Sequence, residues 1–233
     1  MHTFYIPEDI LNLASLSEDE SKHAVRVLRL KAGDRFQIVN GSGDIMRCSI
    51  MDANPKKCSF RVESKKHIDR KSYYIHLAIA PTKNLDRMEW MVEKCTEIGI
   101  DEISFFYSNN SERKILKLDR LVKKSIGALK QSRNYYLPKL NNIESFKTLV
   151  DNVPDDYEKY IGIIFENEQS NLIHKAEPGH KYYILVGPEG DFLKEEVDHA
   201  KKRSFIPVSL GNTTLRTETA GIYACTTLNI LNQ

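Results

Sequence analysis

From Tyr73 onward, short apolar runs alternate with helical patterns, and this alternation constrains the fold more than any other feature. The run YYIHLAIA at 73–80 is followed by apolar residues at helical spacing as far as Gly99. Four further apolar runs lie at 100–107, 160–165, 182–187 and 205–211. Strands that alternate with helices form a parallel sheet that is covered on both faces. The sequence therefore predicts an α/β domain over residues 73–233.

Residues 1–70 follow a different pattern. Ser17 and Glu20 have the spacing of a capping box, which predicts a short helix to about Leu28. Apolar residues then recur at alternate positions in three segments: Phe36 and Ile38; Met46, Cys48 and Ile50; Cys58, Phe60 and Val62. A turn sequence, NGSGD, separates the first two segments. These short strands predict a small β-barrel, joined to the α/β domain by a polar, basic linker at 64–72.

The composition excludes several classes of protein. No stretch approaches the ~18 apolar residues of a membrane span, so we expect no membrane segment. The first residues lack a basic region followed by an apolar run, so we expect no secretory signal. The four cysteines are scattered and lack the paired spacing of a zinc site. We therefore expect no metal, reduced cysteines and a cytoplasmic location.

Charge is unevenly distributed along the chain. Residues 112–139 contain nine Lys or Arg and two acids, whereas residues 140–181 contain four Lys and eight acids. A basic segment of this kind is typical of a surface that faces a polyanion. It is equally typical of a solvated helix face, so charge alone leaves both interpretations open.

Three of the predicted strands end in polar loops, at 80–84, 187–191 and 211–214. Ligands of open α/β sheets bind outside the carboxyl ends of the strands. Glycine in such loops permits positive φ angles and lets the backbone approach a ligand closely. The loop sequence GPEGD matches neither the dinucleotide nor the Walker fingerprint, and alone it is also typical of a plain helix entry. The three loops together predict a ligand site at this edge of the sheet.

Two segments carry a specific resemblance: GPEGDFLKEEV at 187–197 and LGNTTLRTETA at 210–220. They are similar to the segments GPEGGF-(S/T)-x-x-E and LG-x-x-x-LR-x-ETA of the SPOUT class of S-adenosylmethionine-dependent RNA methyltransferases. More narrowly, the chain resembles the family that methylates N3 of a uridine in 16S ribosomal RNA. Further similar segments occur in the same order at 23–36, 83–103 and 131–138. The resemblance therefore covers essentially the whole chain.

Two positions depart from the family pattern. Asp191 stands where the family usually has glycine, and Arg133 lies one place earlier than the commonest spacing. A carboxylate near a helix entrance is favourable, because it meets the helix dipole and the free amides. We expect the protein to tolerate Asp191 without loss of activity.

The resemblance implies a fold, a cofactor and partners. The fold is a parallel sheet with a C-terminal trefoil knot, preceded by a small PUA-like β-barrel at 1–70 that binds RNA. The methyl donor is S-adenosylmethionine, the substrate is 16S ribosomal RNA or the 30S subunit, and the protein is a homodimer. The implied cofactor residues are Val186, Gly187, Pro188, Gly190, Leu210, Gly211, Asn212 and Leu215.

Arg216 and Glu218 are the candidate catalytic residues. Methylation of uracil N3 requires loss of the imide proton, so a fixed cation that stabilises the resulting anion is useful, and Arg216 has that chemistry. Glu218 can accept the proton, or it can serve as a carboxylate in the first turn of the last helix. None of the histidines lies in the three loops; His23 is assigned to the basic helix and His76 to the core.

Six residues are candidates for contact with RNA: Lys22, Arg26, Arg29, Lys83, Arg87 and Arg133. The first three recur at helical spacing and predict one basic stripe. Tyr135 and Tyr136 beside Arg133 can stack on a base or pack in the core. Lys83 and Arg87 can instead form salt bridges at a helix start. The alternative functions are a SPOUT enzyme that acts on tRNA or a ribose 2′-hydroxyl, and a non-catalytic RNA-binding protein.

Overall fold

The computed structural model describes residues 1–7, 14–164 and 171–233. It divides into two compact units. The first comprises Met1–Arg70 and Leu129–Leu137, and the second comprises Lys71–Ala128 and Pro138–Gln233. The end of the apolar run at 160–165, Phe165, lies outside the described residues.

The first unit contains a four-stranded sheet in the order β1-β2-β3-β4. Its strands are β1 (Thr3–Tyr5), β2 (Arg35–Val39), β3 (Asp44–Asp52) and β4 (Ser59–His67). β1 is parallel to β2, and the other pairs are antiparallel. Within the described ranges no ladder joins β1 to β4, so the expected barrel is present as a sheet. β4 runs through 64–67, where the linker was expected, and Val62 is 45% exposed.

The core of this unit is built by the alternating residues of the strands. Phe36 packs edge-to-face on both Phe4 and Phe60, with ring centroids 5.2 and 5.6 Å apart. Cys48 and Cys58 are fully buried in the same cluster. Period-two spacing places successive side chains on opposite faces of a strand, which is why these positions turn inward together.

Helix α1 (Glu18–Lys22) begins where the capping box predicts, with the Ser17 Oγ accepting from the Glu20 N–H at 3.3 Å. It continues as a π-helical turn, His23–Val27, which Leu28 N–H closes by bonding to His23 O. Arg29 follows with a φ of +57°. We predicted that Lys22, Arg26 and Arg29 form one stripe on a regular α-helix. That prediction was wrong, because the wider π-turn and the left-handed conformation of Arg29 change the spacing of these residues.

The second unit is built on a six-stranded, entirely parallel sheet in the order β10-β8-β9-β5-β6-β7. The strands are β5 (Tyr74–Ile79), β6 (Glu102–Tyr107), β7 (Lys139–Ser145), β8 (Glu158–Gly162), β9 (Lys181–Val186) and β10 (Ile206–Val208). The α/β prediction is confirmed. The edge strand β7 was not predicted, because its sequence KLNNIES lacks an apolar run.

In the described part of the chain, six helices accompany this sheet: α2 (Leu85–Ile98), α3 (Leu118–Ser132), α4 (Phe146–Asp151), α5 (Leu172–Lys175), α6 (Lys194–Lys202) and α7 (Thr217–Leu231). α2 ends at Gly99, whose φ of +99° makes it a left-handed C-terminal cap. The helices of the described ranges include none that is long and apolar enough to cross a membrane.

Both faces of the sheet are covered, as parallel sheets require. α2 and α7 pack on the face that carries Ile75, Leu77 and Ile79, and Cys95 and Cys225 are buried there. α4 and α6 pack on the opposite face, against Ala78, Leu185 and Phe106 among others. The carboxyl ends of β8, β9 and β10 lie side by side, because these strands are neighbours in a parallel sheet.

Candidate active site

A cavity of about 870 Å³ lies at the carboxyl ends of β8, β9 and β10. Its walls are the end of β8 (162–164), the loop after β9, the loop after β10 and the first turn of α7. Two of the three predicted loops therefore line it. The loop at 80–84 does not, and the end of β8, which sequence reasoning missed, takes its place.

Seven of the eight predicted cofactor residues line this cavity: Val186, Gly187, Pro188, Leu210, Gly211, Asn212 and Leu215. Gly190 is not among the lining residues. It packs against Asn110, and its carbonyl accepts from the Asn110 amide at 3.0 Å. Gly190 therefore supports the loop through its contact with Asn110. A Cβ at this position would come within 3.2 Å of the Asn110 side chain, so a larger residue would crowd that contact.

Two glycines let the backbone form the walls. A Cβ on Gly162 would lie 2.8 Å from the Cδ1 atom of Leu210, so glycine lets the Leu210 side chain pack directly on β8 without moving. Gly211 has a φ of +107°, which side-chain-bearing residues rarely adopt. The cavity wall consequently presents backbone polar groups together with the apolar side chains of Val186, Leu210 and Leu215.

Asp191 has a φ of +56°, which gives a physical reason for glycine at this position in related proteins. Asp is among the side chains that tolerate this conformation. Its carboxylate accepts from Phe192 N–H at 2.8 Å and from Ile164 N–H at 3.2 Å. The side chain thereby joins the loop after β9 to the end of β8, and these bonds offset part of the backbone strain.

Arg216 occupies the N-cap position of α7, with an exposed side chain that lines the cavity. Its carbonyl accepts from Ala220 N–H at 2.8 Å, which closes the first turn of the helix. Among the described residues its guanidinium has no hydrogen bond and no ion pair. A permanent cation with free donors therefore stands at the cavity wall.

Glu218 lies in the first turn of α7, but it is not among the residues that line the cavity. Its side chain is 6% exposed, and its Oε1 lies 3.7 Å from Arg87 Nε. Its Oε2 has no hydrogen-bond partner within the described part of the chain. This placement favours the helix-start interpretation of Glu218 over direct proton transfer to or from a bound base.

Arg87 joins three of the elements around the site. From α2 it reaches Glu189 in the loop after β9, with Nη1 3.3 Å from Oε1, and Glu218 in α7. We call this arrangement of Arg87, Glu189 and Glu218 the arginine clamp. The prediction that Arg87 contacts RNA is not favoured, because its guanidinium already lies between two carboxylates.

Lys83 belongs to the loop after β5, and Arg113, in the loop after β6, contacts it. Lys83 Nζ lies 3.7 Å from Glu112, and both side chains are exposed, so this pair contributes little to stability. Arg113 donates to the carbonyls of Thr82 and Lys83, at 3.2 and 2.6 Å. Sequence reasoning missed Arg113 as the residue that fixes this loop, because its partners are backbone atoms about thirty positions away.

The other candidate RNA-binding residues lie in the first unit. Lys22 pairs with Glu18 at 2.7 Å. Arg26, Arg29 and Arg133 are exposed and form no ion pair among the described residues. Tyr136 donates to Ile68 O at 2.8 Å, with Arg70 4.7 Å above its ring, so its role is packing.

Two family models match the chain. The RNA methyltransferase domain matches residues 69–229, and the RNA methyltransferase PUA domain matches residues 16–63. A protein of Buchnera aphidicola subsp. Acyrthosiphon pisum named ribosomal RNA small subunit methyltransferase E is 31% identical, over 97% of this chain and 92% of its own. This chain belongs to the ribosomal RNA small subunit methyltransferase E family. The predicted family and the N-terminal PUA domain are thus confirmed; the knot stays a prediction.

A further relative and two solved structures are also similar to this chain. The Aquifex aeolicus protein of that name is 31% identical, over 94% of this chain and 95% of its own. A probable rRNA-methyltransferase from Porphyromonas gingivalis is 37% identical with a TM-score of 0.94, covering 100% of this chain and 98% of its own. A putative methyltransferase from Legionella pneumophila, solved with bound S-adenosylmethionine, is 26% identical with a TM-score of 0.88, over 100% and 98%.

Proposed function

We propose that this protein is an S-adenosylmethionine-dependent methyltransferase that modifies N3 of a uridine in 16S ribosomal RNA. The observation that carries the proposal is that both C-terminal motifs, 187–197 and 210–220, line one cavity with Arg216 at its wall. The names of the relatives support a ribosomal small-subunit substrate, and the Legionella pneumophila structure supports the cofactor. The N3 position rests on the resemblance of those motifs.

The lining residues fit S-adenosylmethionine. The cavity volume is within the ~300–1,000 Å³ typical of small-molecule sites. Val186, Leu210 and Leu215 supply apolar walls, while the chain around Gly187 and Gly211 supplies backbone donors and acceptors. When bound, the cofactor supplies the methyl group as an electrophile. The protein residues bind it, exclude water and hold the target base in line.

Arg216 is the proposed catalytic group. The target uracil must be unpaired or flipped out, because N3 normally lies inside a base pair. As the N3 proton passes to water, negative charge spreads over the imide, and a free guanidinium at the cavity wall stabilises that charge. Glu218 is proposed to act indirectly. It holds Arg87 and the first turn of α7 in place, so that Arg216 faces the base.

The first unit is the proposed grip on RNA. Arg26, Arg29 and Arg133 are exposed and uncommitted to ion pairs among the described residues, as phosphate-contacting side chains need to be. A homodimer is proposed on the resemblance. Exposed apolar side chains on α2 and α7, Trp90 at 47% and Ile230 at 55%, support it, since such groups are common at interfaces. A ribosomal substrate in turn implies a cytoplasmic location.

The test is methylation of 16S RNA and of assembled 30S subunits with a labelled methyl donor, followed by nucleoside analysis. We expect 3-methyluridine as the product. A 2′-O-methyl nucleoside, or transfer to tRNA in place of ribosomal RNA, would refute the proposed substrate. Absence of S-adenosylmethionine binding in calorimetry would leave only the non-catalytic RNA-binding alternative.

A further inference from the structure

A second cavity, of about 540 Å³, lies on the face of the same sheet that α4 covers, and it extends along the edge strand β7 from Lys139 to Glu144. Residues of five segments line it: β5, β6, β7, β9 and the stretch from α4 to β8. It shares no lining residue with the larger cavity. Nothing proposed so far for the methyltransferase reaction uses it.

A polar row crosses the sheet beneath this cavity, and every member of the row except Lys159 lines the cavity. The strand register places Lys159, Tyr183, His76, Glu102 and Lys139 side by side on β8, β9, β5, β6 and β7. Parallel sheets covered on both faces are normally apolar at such positions. Four of the five side chains, all but that of the exposed Lys139, are buried. Buried polar side chains are costly unless they are hydrogen-bonded, so the row points to a function.

The row is held together by hydrogen bonds. Three donors converge on the Glu102 carboxylate: Tyr74 Oη at 2.8 Å, Lys139 Nζ at 2.8 Å and Asn141 Nδ2 at 2.6 Å. Ser104 Oγ lies 2.8 Å from both His76 Nε2 and Asn141 Nδ2. Burial lowers the pKa of His76 to about 4, so the imidazole is neutral at physiological pH.

An irregularity in the edge strand adds further polar groups to the cavity. β7 pairs Leu140 with Ile103 and Ile143 with Phe105, so two residues of β7 stand opposite the single Ser104. This is a β-bulge, a feature that re-aims side chains and is common beside functional sites. It brings Asn141, Asn142 and Glu144 into the same cavity lining.

Glu144 is a charged group of this cavity that has no partner among the described residues. Its carboxylate forms no hydrogen bond or ion pair within the described ranges, although burial raises its pKa above the usual value. Glu102, in contrast, is fully bonded, and Lys139, the single cation in the described lining, is bonded to it. The lining therefore carries two carboxylates and one ammonium, with the charge of Glu144 uncompensated.

Aromatic rings stand close to these carboxylates. Tyr157 lies edge-on to Tyr183 at 5.9 Å and to His76 at 6.3 Å, and all three line the cavity. Aromatic faces attract organic cations through their quadrupole. A hydrated magnesium ion instead prefers a shell of oxygen ligands, and an anion is disfavoured by Glu144.

We propose that this cavity binds a small organic ammonium ion, such as a polyamine, with Glu144 as its counter-ion and Tyr157 as its aromatic wall. Asn142 and Asn152, which also line the cavity, offer amide oxygens to the remaining ammonium protons. Charge-assisted hydrogen bonds to a partly buried carboxylate are stronger than neutral ones. The site is independent of the methyl-donor cavity and of the RNA reaction.

Calorimetric titration of the full chain with spermidine, at constant ionic strength, tests the proposal. We expect one saturable event per chain and an affinity about tenfold or more weaker in Glu144→Gln, a loss of about 1.4 kcal/mol or more. Glu195→Gln is the matched control, since Glu195 is exposed on α6 and the same charge is removed. Absence of saturable binding, or an equal loss in both variants, would overturn the site.

Two further measurements separate the proposed ion from other cations and from misfolding. Magnesium at equal ionic strength should not displace spermidine, and displacement would overturn the assignment to an organic cation. Tyr157→Leu keeps every charge and should still weaken spermidine, because the aromatic wall is lost. If Glu144→Gln does not fold, Tyr157→Leu decides the question, and unchanged affinity in that variant would count against the proposal.

Discussion

Two cavities border the parallel sheet of the second unit, and they are built from different material. The larger cavity is made of loops, and its walls are backbone and small or apolar side chains around Gly162 and Gly211. The smaller cavity stands on the strands themselves, and its floor is a set of side chains that bond to one another.

This contrast has a physical origin. Loops beyond the strand ends lie outside the ladder, so glycine can shape them around a ligand without loss of sheet hydrogen bonds. Side chains on adjacent strands keep fixed spacings, so a site built there must use polar groups that satisfy each other. We expect the loop cavity to respond to substitution mainly in activity and the strand cavity mainly in stability.

Replacement of Arg216 by Ala should have the largest effect and tests the loop cavity. We expect turnover to fall by about 10²–10³-fold, because the group that stabilises the developing anion is removed. Calorimetry should show S-adenosylmethionine affinity mostly unchanged. Arg203→Ala, which removes an arginine paired with Asp151 elsewhere in the same unit, is the control. Equal turnover in the two variants would remove Arg216 from the site.

His76 tests the strand cavity through the pH dependence of folding. Its pKa falls from an ordinary 6.5 to about 4 in the folded chain, mainly because burial disfavours the charged form. The unfolded chain therefore binds the extra proton between these values, so stability is complete above about pH 6.5 and declines as pH falls toward 4. The loss approaches about 3 kcal/mol, at ~1.4 kcal/mol per pKa unit.

Denaturant unfolding at several pH values measures this loss of stability when the wild type is compared with His76→Gln. The variant should lose less stability on acidification, because it has no imidazole to protonate. His174→Gln, which replaces an exposed histidine, should follow the wild type. Parallel curves for all three proteins would show that the polar row does not hold His76 neutral.

Replacement of Arg87 in the arginine clamp should have a smaller effect. It distinguishes a role of Arg87 in cofactor binding from a role in RNA binding. Arg87→Ala should weaken S-adenosylmethionine binding and reduce the free energy of unfolding by about 1–2 kcal/mol, since buried Glu218 loses its cation while Arg87 itself is 37% exposed. Arg87→Ala with Glu218→Gln should recover part of that stability. A change in RNA affinity with cofactor binding untouched would instead support Arg87 as an RNA contact.

Asp191 offers the smallest effect, and it compares backbone strain with side-chain bonding at one loop position. Asp191→Gly relieves the positive φ but loses the bonds to Phe192 and Ile164, so we expect a change within about 1 kcal/mol. Asp191→Ala keeps the strain and loses the bonds, and it should be the less stable of the two by thermal unfolding. The reverse order would show that backbone strain at this position does not limit stability.

Much of the α/β unit was predictable, because apolar runs and helix-ending glycines are local signals. β5, α2 and Gly99 follow directly from them. β7 was missed, since an edge strand that lines a polar cavity has no apolar run. The prediction of a basic stripe that includes Arg29 was wrong for a similar reason, because no local sequence pattern predicts the π-turn.

The candidate site also combines features that local sequence predicts with features that it does not predict. Each of the loops after β9 and β10 is one continuous segment of sequence, so its motif indicated the cavity directly. The arginine clamp could not be predicted, since Arg87 and Glu189 are 102 positions apart and meet only through strand order. The burial of Glu218 and the contact of Gly190 with Asn110 depend on packing between distant elements, which a single sequence does not encode in any local pattern.

The burial of the four cysteines gives the protein a set of internal reporters. Cys48 and Cys58 lie in the core of the first unit, and Cys95 and Cys225 lie in the core of the second. A thiol reagent reaches each pair only when its own unit opens. The rates of labelling at the two pairs therefore report separately on the opening of the first unit and of the second unit, in the unmodified chain.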